Sequence, residues 1–175
     1  MKRLTLMRHA DASWKDPDVA DLERPLNRRG TAAAEAMARR LLELELVPDL
    51  LIASPARRTQ QTAEIVARAL AVPARYVLRE EKLYLAAAED LLRVVQSAGP
   101  RIAHLLVVAH NPGVTELMQL LAPRNGSSAQ LATAAVCSIT FDAAGWSGLS
   151  AGAVTGVRRE APPRGLLRLL STRAR

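Results

Sequence analysis

His104-Leu105-Leu106-Val107-Val108-Ala109-His110-Asn111-Pro112-Gly113 decides how the rest of the chain is read. Residues 105–109 form an unbroken apolar run. It is far too short to cross a bilayer, which takes ~20 residues. It suits a strand buried on both faces, as in a parallel sheet. The run stops at His110-Asn111. Pro112 then reads as a helix N-terminus, where its fixed φ is favourable and its missing N–H costs nothing. Residues 114–121 continue that helix.

The same alternation recurs on either side. Residues 4–7 read as a buried strand. Residues 31–44 read as a helix, with positions 34, 37, 38, 41 and 42 on one apolar stripe. Residues 50–53 form a second strand and 57–70 a second helix. A short strand at 76–78 precedes a helix at 89–96. Beyond the central run, 135–141 and 151–157 read as strands joined by a turn over 142–148, and 165–170 as a short terminal helix. No repeat or low-complexity linker divides the 175 residues, so one domain over 1–175 is expected. Strand–helix alternation predicts an α/β fold, a three-layer sandwich with a mostly parallel central sheet flanked by helices.

Composition narrows the setting. Hydrophobic residues make up 49% and aromatics 3%, so the core must be aliphatic. The net charge is +7, and only Lys2, Lys15 and Lys82 are lysines among 24 basic residues. Arginine suits forked contact with phosphate or carboxylate. Most of these arginines read as solvated surface, and the shortage of aromatic platforms argues against single-stranded nucleic acid. No nucleic-acid or membrane partner is expected. Arg8, His9 and Asp11 interrupt any secretory apolar segment. With one cysteine, Cys137, no internal disulfide forms, and a cytoplasmic location is expected.

In open α/β sheets, ligands bind beyond the carboxyl ends of the strands. Three segments fall there: Arg8-His9-Ala10, Ser54-Pro55-Ala56-Arg57-Arg58 and His110-Asn111-Pro112. Together they would gather two histidines and at least two arginines in one pocket. Fixed cationic donors stabilise the charge that spreads over phosphoryl oxygens during transfer. A neutral imidazole is a competent nucleophile at neutral pH. Glu80 and Glu81 follow the third strand, and Glu81 is a candidate general acid for the leaving group that spacing alone does not establish. Several residues have plainer readings. Ser54 serves equally as a helix cap. Asp21 to Arg24 read as surface ion pairs, and Arg28 and Arg29 as a solvated helix start. His104 reads as structural or solvent-facing, Trp14 and Trp146 as packing residues. The chain has no closely spaced His or Cys ligand set, no GxxxxGK[ST] or GxGxxG loop and no Gly-x-Ser-x-Gly elbow, so neither a metal nor a cofactor is expected.

Taken in order, these segments resemble the histidine phosphatase, or phosphoglycerate-mutase-like, superfamily. Leu4-Thr5-Leu6-Met7-Arg8-His9-Ala10 is similar to the family's opening Arg-His-Gly block, with alanine in place of glycine. Ser54-Pro55-Ala56-Arg57-Arg58-Thr59-Gln60-Gln61-Thr62 is similar to its second block, whose register selects Arg58 rather than Arg57. Val107-Val108-Ala109-His110-Asn111-Pro112-Gly113 resembles its final block. Glu81-Lys82-Leu83-Tyr84 matches the place of an acidic proton donor, with Glu80 competing for the part. The resemblance implies that His9 is transiently phosphorylated while Arg8, Arg58 and His110 hold the phosphoryl group, and that no metal is used. Arg24-Pro25-Leu26-Asn27 with Gly30 is similar to short SixA-type phosphohistidine phosphatases, in which Arg24 and Lys15 would line the pocket mouth. The expected substrate is a phosphorylated protein, phosphohistidine-bearing, or a small phosphoester. A non-catalytic phosphate-binding module is the alternative outside enzymes.

Overall fold

The computed structural model describes residues 1–123 and 129–163. The reading of 165–170 as a helix lies outside the described residues. Six strands form one sheet: β1 (Lys2–Arg8), β2 (Leu50–Ala53), β3 (Val77–Arg79), β4 (His104–Ala109), β5 (Val136–Phe141) and β6 (Val154–Glu160). Their order is β3-β2-β4-β1-β5-β6. β1, β2, β3 and β4 pair parallel, while β5 runs antiparallel to both β1 and β6. The predicted, mostly parallel sheet is therefore present, with one reversed strand.

Helices cover both faces. The β4 side chains alternate between two cores, as the period of a strand requires. Leu105 and Val107 pack with α3 (Ala88–Gln96) and α4 (Gly113–Leu121). Leu106 and Val108 pack with α1 (Arg28–Glu43) and α2 (Arg57–Ala69). All six β4 residues are buried, which is why the run lacks the apolar–polar alternation of a one-sided strand. Trp146 is also buried and donates its indole N–H to Ile102 O at 2.9 Å, as a packing residue should.

Two boundaries differ from the expected ones for physical reasons. α1 starts at Arg28 because the Asn27 side chain caps it, accepting from the Gly30 N–H at 2.8 Å. Gly30 is required here: a Cβ would lie 2.1 Å from Asp11 O, so the small residue lets α1 seat against the loop after β1. β6 starts at Val154, not at 151, because 151–153 coil into a 3-10 turn before pairing with β5. As an exposed edge strand it carries a weaker apolar signal. No helix among the described residues is long and apolar enough to cross a membrane.

Candidate active site

β1, β2 and β4 lie side by side, so the segments that follow them leave the sheet at one end and meet there. They line a cleft of about 480 Å³ whose wall includes Arg8, His9, Arg58 and His110. The imidazoles of His9 and His110 stand 5.1 Å apart between ring centroids, edge to face. Three stretches remote in sequence thus close around one space.

His9 is oriented by its neighbours. Its backbone N–H donates to Ala109 O at 3.1 Å, fixing the end of β1 against β4. Its Nδ1 lies 2.7 Å from Ala10 O. A carbonyl only accepts, so Nδ1 carries the proton and Nε2 the lone pair. Nε2 takes part in no hydrogen bond among the described residues. Burial, with Arg58 and Arg8 nearby, pushes this imidazole down to about 4, although the bond to Ala10 O works the other way. His9 is therefore neutral at pH 7, with its nucleophilic nitrogen unengaged.

His110 is held from both sides. Its Nε2 lies 2.7 Å from Ser54 Oγ and its Nδ1 3.4 Å from Arg58 Nη2. Guanidinium nitrogens only donate, so Nδ1 accepts and Nε2–H points to the serine. Burial, His9 and Arg58 lower this ring to about 3. Ser54 is thus not a helix cap. The N-cap of α2 is Ala56, without a side-chain bond, and the Ser54 hydroxyl braces the second histidine.

Of the two adjacent arginines, Arg57 is exposed and Arg58 is 4% exposed. Arg58 donates to the Asp21 backbone carbonyl at 2.5 Å and to Asp21 Oδ2 at 2.9 Å. Asp21 also accepts from Tyr84 Oη at 2.8 Å and Arg24 Nη1 at 2.9 Å. Burial works to raise its carboxyl, yet these bonds from Tyr84, Arg58 and Arg24 bring it down to about 2. The surface pair expected between Asp21 and Arg24 exists, but Asp21 belongs mainly to the pocket. Thr62 explains the second half of its segment: its hydroxyl donates to Arg58 O and accepts from Ala10 N–H, pinning α2 to the backbone beside His9. Arg8 donates to Leu131 O at 3.1 Å, while its Nε is buried without a partner among the described residues.

Not every expected residue arrives. Glu81 sits on a 3-10 turn (Glu81–Leu83), its side chain 69% exposed and 2.7 Å from Arg79 Nε. Glu80 caps the same turn through the Lys82 N–H. Neither lines the cleft, so the structure does not bring the expected acid to the site. The carboxyls that do line it are Asp11 and Asp21. Arg24 lines the wall and Lys15 does not. Trp14 is no packing residue. It is 80% exposed, with the Arg24 guanidinium carbon 3.1 Å from its ring centroid. His104, at the opposite end of β4, bonds Val47 O at 3.0 Å and Thr5 Oγ1 at 2.8 Å and is structural.

Known proteins place this geometry. Residues 4–83 match the histidine phosphatase superfamily, branch 1. An uncharacterized Mycobacterium tuberculosis protein is 35% identical over 127 residues, covering 72% of this chain and 76% of that one. An uncharacterized chloroplast protein of Arabidopsis thaliana is 30% identical over 142 residues, covering 75% of this chain and 63% of its own length. The solved structure of the protein histidine phosphatase SixA complexed with tungstate superposes with a TM-score of 0.76 at 25% identity, covering 91% of this chain and 97% of that one. With two histidines and a buried arginine converging at the ends of these strands, the chain belongs to the histidine phosphatase superfamily.

Proposed function

We propose that this protein is a metal-independent phosphatase that works through a phosphohistidine on His9 and acts on a phosphohistidine-bearing protein, in the manner of SixA. The observation that carries this reading is the His9 ring: neutral, with Nδ1–H held by Ala10 O and Nε2 open toward the space it shares with His110 and Arg58. In the first step Nε2 attacks phosphorus, the bond to the leaving group breaks, and the leaving group takes a proton. In the second, water attacks the phosphohistidine, the P–Nε2 bond breaks, and inorganic phosphate is released. Arg8, Arg58 and His110 hold the phosphoryl oxygens in both steps. A bound dianion raises the pKa of His110, since negative charge favours the protonated ring, and so makes it a second donor.

The placement of Glu81 and Asp21 favours a phosphohistidine over an alkyl phosphate. Glu81 is paired with Arg79 outside the cleft, and Asp21 is held ionised by three donors. Asp11 completes the wall beside them. An alkoxide leaving group, with basicity near that of hydroxide, needs a strong acid at hand. A phosphohistidine takes a proton on its second ring nitrogen, of pKa ~6.5, and departs as neutral imidazole. The similar protein SixA is a protein histidine phosphatase, which supports the same reading. The test is release of phosphate from a protein phosphorylated on histidine, in the presence of EDTA. Turnover that survives the chelator and vanishes in His9→Ala supports the reading. Activity that needs added metal, or that persists without His9, contradicts it.

A further inference from the structure

The cleft is lined by cationic side chains and by two exposed apolar ones. Two of the exposed large apolar side chains, Trp14 at 80% and Leu85 at 59%, are among the residues lining it. Trp14 is fixed rather than loose. Arg24 lies against its ring, and Arg24 is itself held by Ser13 O at 2.9 Å and by Asp21 Oδ1. A guanidinium covering one face of an indole leaves the other free for a planar group. Leu85 is held at φ 49°, a conformation that a non-glycine residue adopts at a cost.

The two asparagines of the wall are engaged by the protein. Asn27 accepts from Gly30 N–H and donates to Ala12 O. Asn111 donates to Leu131 O and accepts from Thr115 Oγ1. Arg24 donates to Ser13 O and to Asp21 Oδ1. A flat, weakly polar ring would find an open indole.

On the proposed phosphohistidine reading, we infer that Trp14 is a specificity-determining residue, whose open indole face stacks on the imidazole ring of the leaving group while the phosphoryl group sits between His9 and Arg58. Leu85 is the second exposed apolar side chain of the lining. The chemistry at phosphorus does not involve Trp14, so its contribution depends on the ring being there.

Two donors sharing a P–N bond separate these effects: free 3-phosphohistidine, which carries the ring, and phosphoramidate, which lacks it. Trp14 is exposed, so replacing it does not open the core. With the full chain, Trp14→Ala should lower kcat/KM for 3-phosphohistidine about tenfold, mostly through KM, as expected for losing one ring–ring contact. Phosphoramidate should change by less than about twofold, and Trp14→Phe, which keeps a ring, should retain most of the wild-type value on both donors. Equal losses on the two donors, or no loss on either, overturn the stacking role while leaving the phosphatase reading intact. A wild-type protein that cleaves glycerol phosphate but neither P–N donor overturns the phosphohistidine reading and the stacking role with it.

Discussion

β4 carries a histidine at its amino end and another just past its carboxyl end, and the two ends of that strand have become different things. His104 and His110 are both buried, and burial lowers both rings, to about 4 and about 3. Burial and perturbed pKa therefore do not tell them apart. Their surroundings do. His104 spends both nitrogens on the protein, one on Val47 O and one on Thr5 Oγ1, which in turn bonds Ser138. His110 is also bonded at both nitrogens, to Ser54 Oγ and Arg58 Nη2, but it lines the cleft together with His9, whose Nε2 has no partner among the described residues. Chemistry resides where the protein has gathered cations and left hydrogen-bonding capacity unspent. A closed polar network of the same composition is only a piece of the fold.

The sharpest way to break that comparison is to delete one histidine from the cleft and one from the closed network. His9→Ala should lower kcat/KM by at least about 10⁴-fold, as loss of a nucleophile does, with little change in Tm. His104→Ala should keep kcat/KM within about threefold yet cost about 2 kcal/mol of stability, since Thr5 and Val47 lose a buried partner. Denaturant melts and steady-state kinetics on both variants decide it. Equal activity losses would erase the distinction.

Arg58→Ala should come next, at roughly 10²–10³-fold in kcat/KM, the usual loss for one donor to developing charge. Its exposed neighbour offers the control: Arg57→Ala should remain within about twofold, because surface changes away from the site are generally small. Ser54→Ala should cost roughly 10-fold. It frees the ring that Ser54 braces, as loss of an orienting partner does at other histidine sites. Circular dichroism should show the fold unchanged.

The smallest effect concerns protonation. At pH 7 both ends of β4 hold neutral rings. Titration of the imidazole protons by NMR should place His9 and His104 near 4 in the free protein. Saturating tungstate should move His9 and His110 upward and leave His104 in place, because an anion favours only the rings it touches. The sign for stability follows. A folded ring that resists protonation costs stability as pH falls from about 6.5 toward about 4, since the unfolded chain takes up protons there that the folded one refuses.

Much of this was legible before any coordinates. The 105–109 run announced a strand buried twice over. Each of the three cleft segments stands immediately past an apolar run, so the topology of a parallel sheet brings His9, Arg58 and His110 together. The failures share a cause. Asp21 looks like one more surface acid, because its main partner, Arg58, is 37 positions away and nothing local links the two. Glu81 matches the place of a proton donor only through the resemblance. A 3-10 turn carries it out to Arg79, while Tyr84 itself reaches the site through Asp21. Ser54 looked like a cap because it precedes a helix, and only the neighbouring strand shows where its hydroxyl goes. Trp14 looked like core because large aromatics usually are. Its exposure follows from a long loop between β1 and α1 that no periodicity describes.

The central claim concerns one nitrogen atom. Rapid quenching of the full chain with a protein phosphohistidine donor, followed by mass spectrometry under alkaline conditions, should find a phosphoryl group on His9 that acid removes. It should be absent from His9→Ala and present in His104→Ala. Phosphate release with no such adduct on His9, or with the label on another residue, would contradict the account.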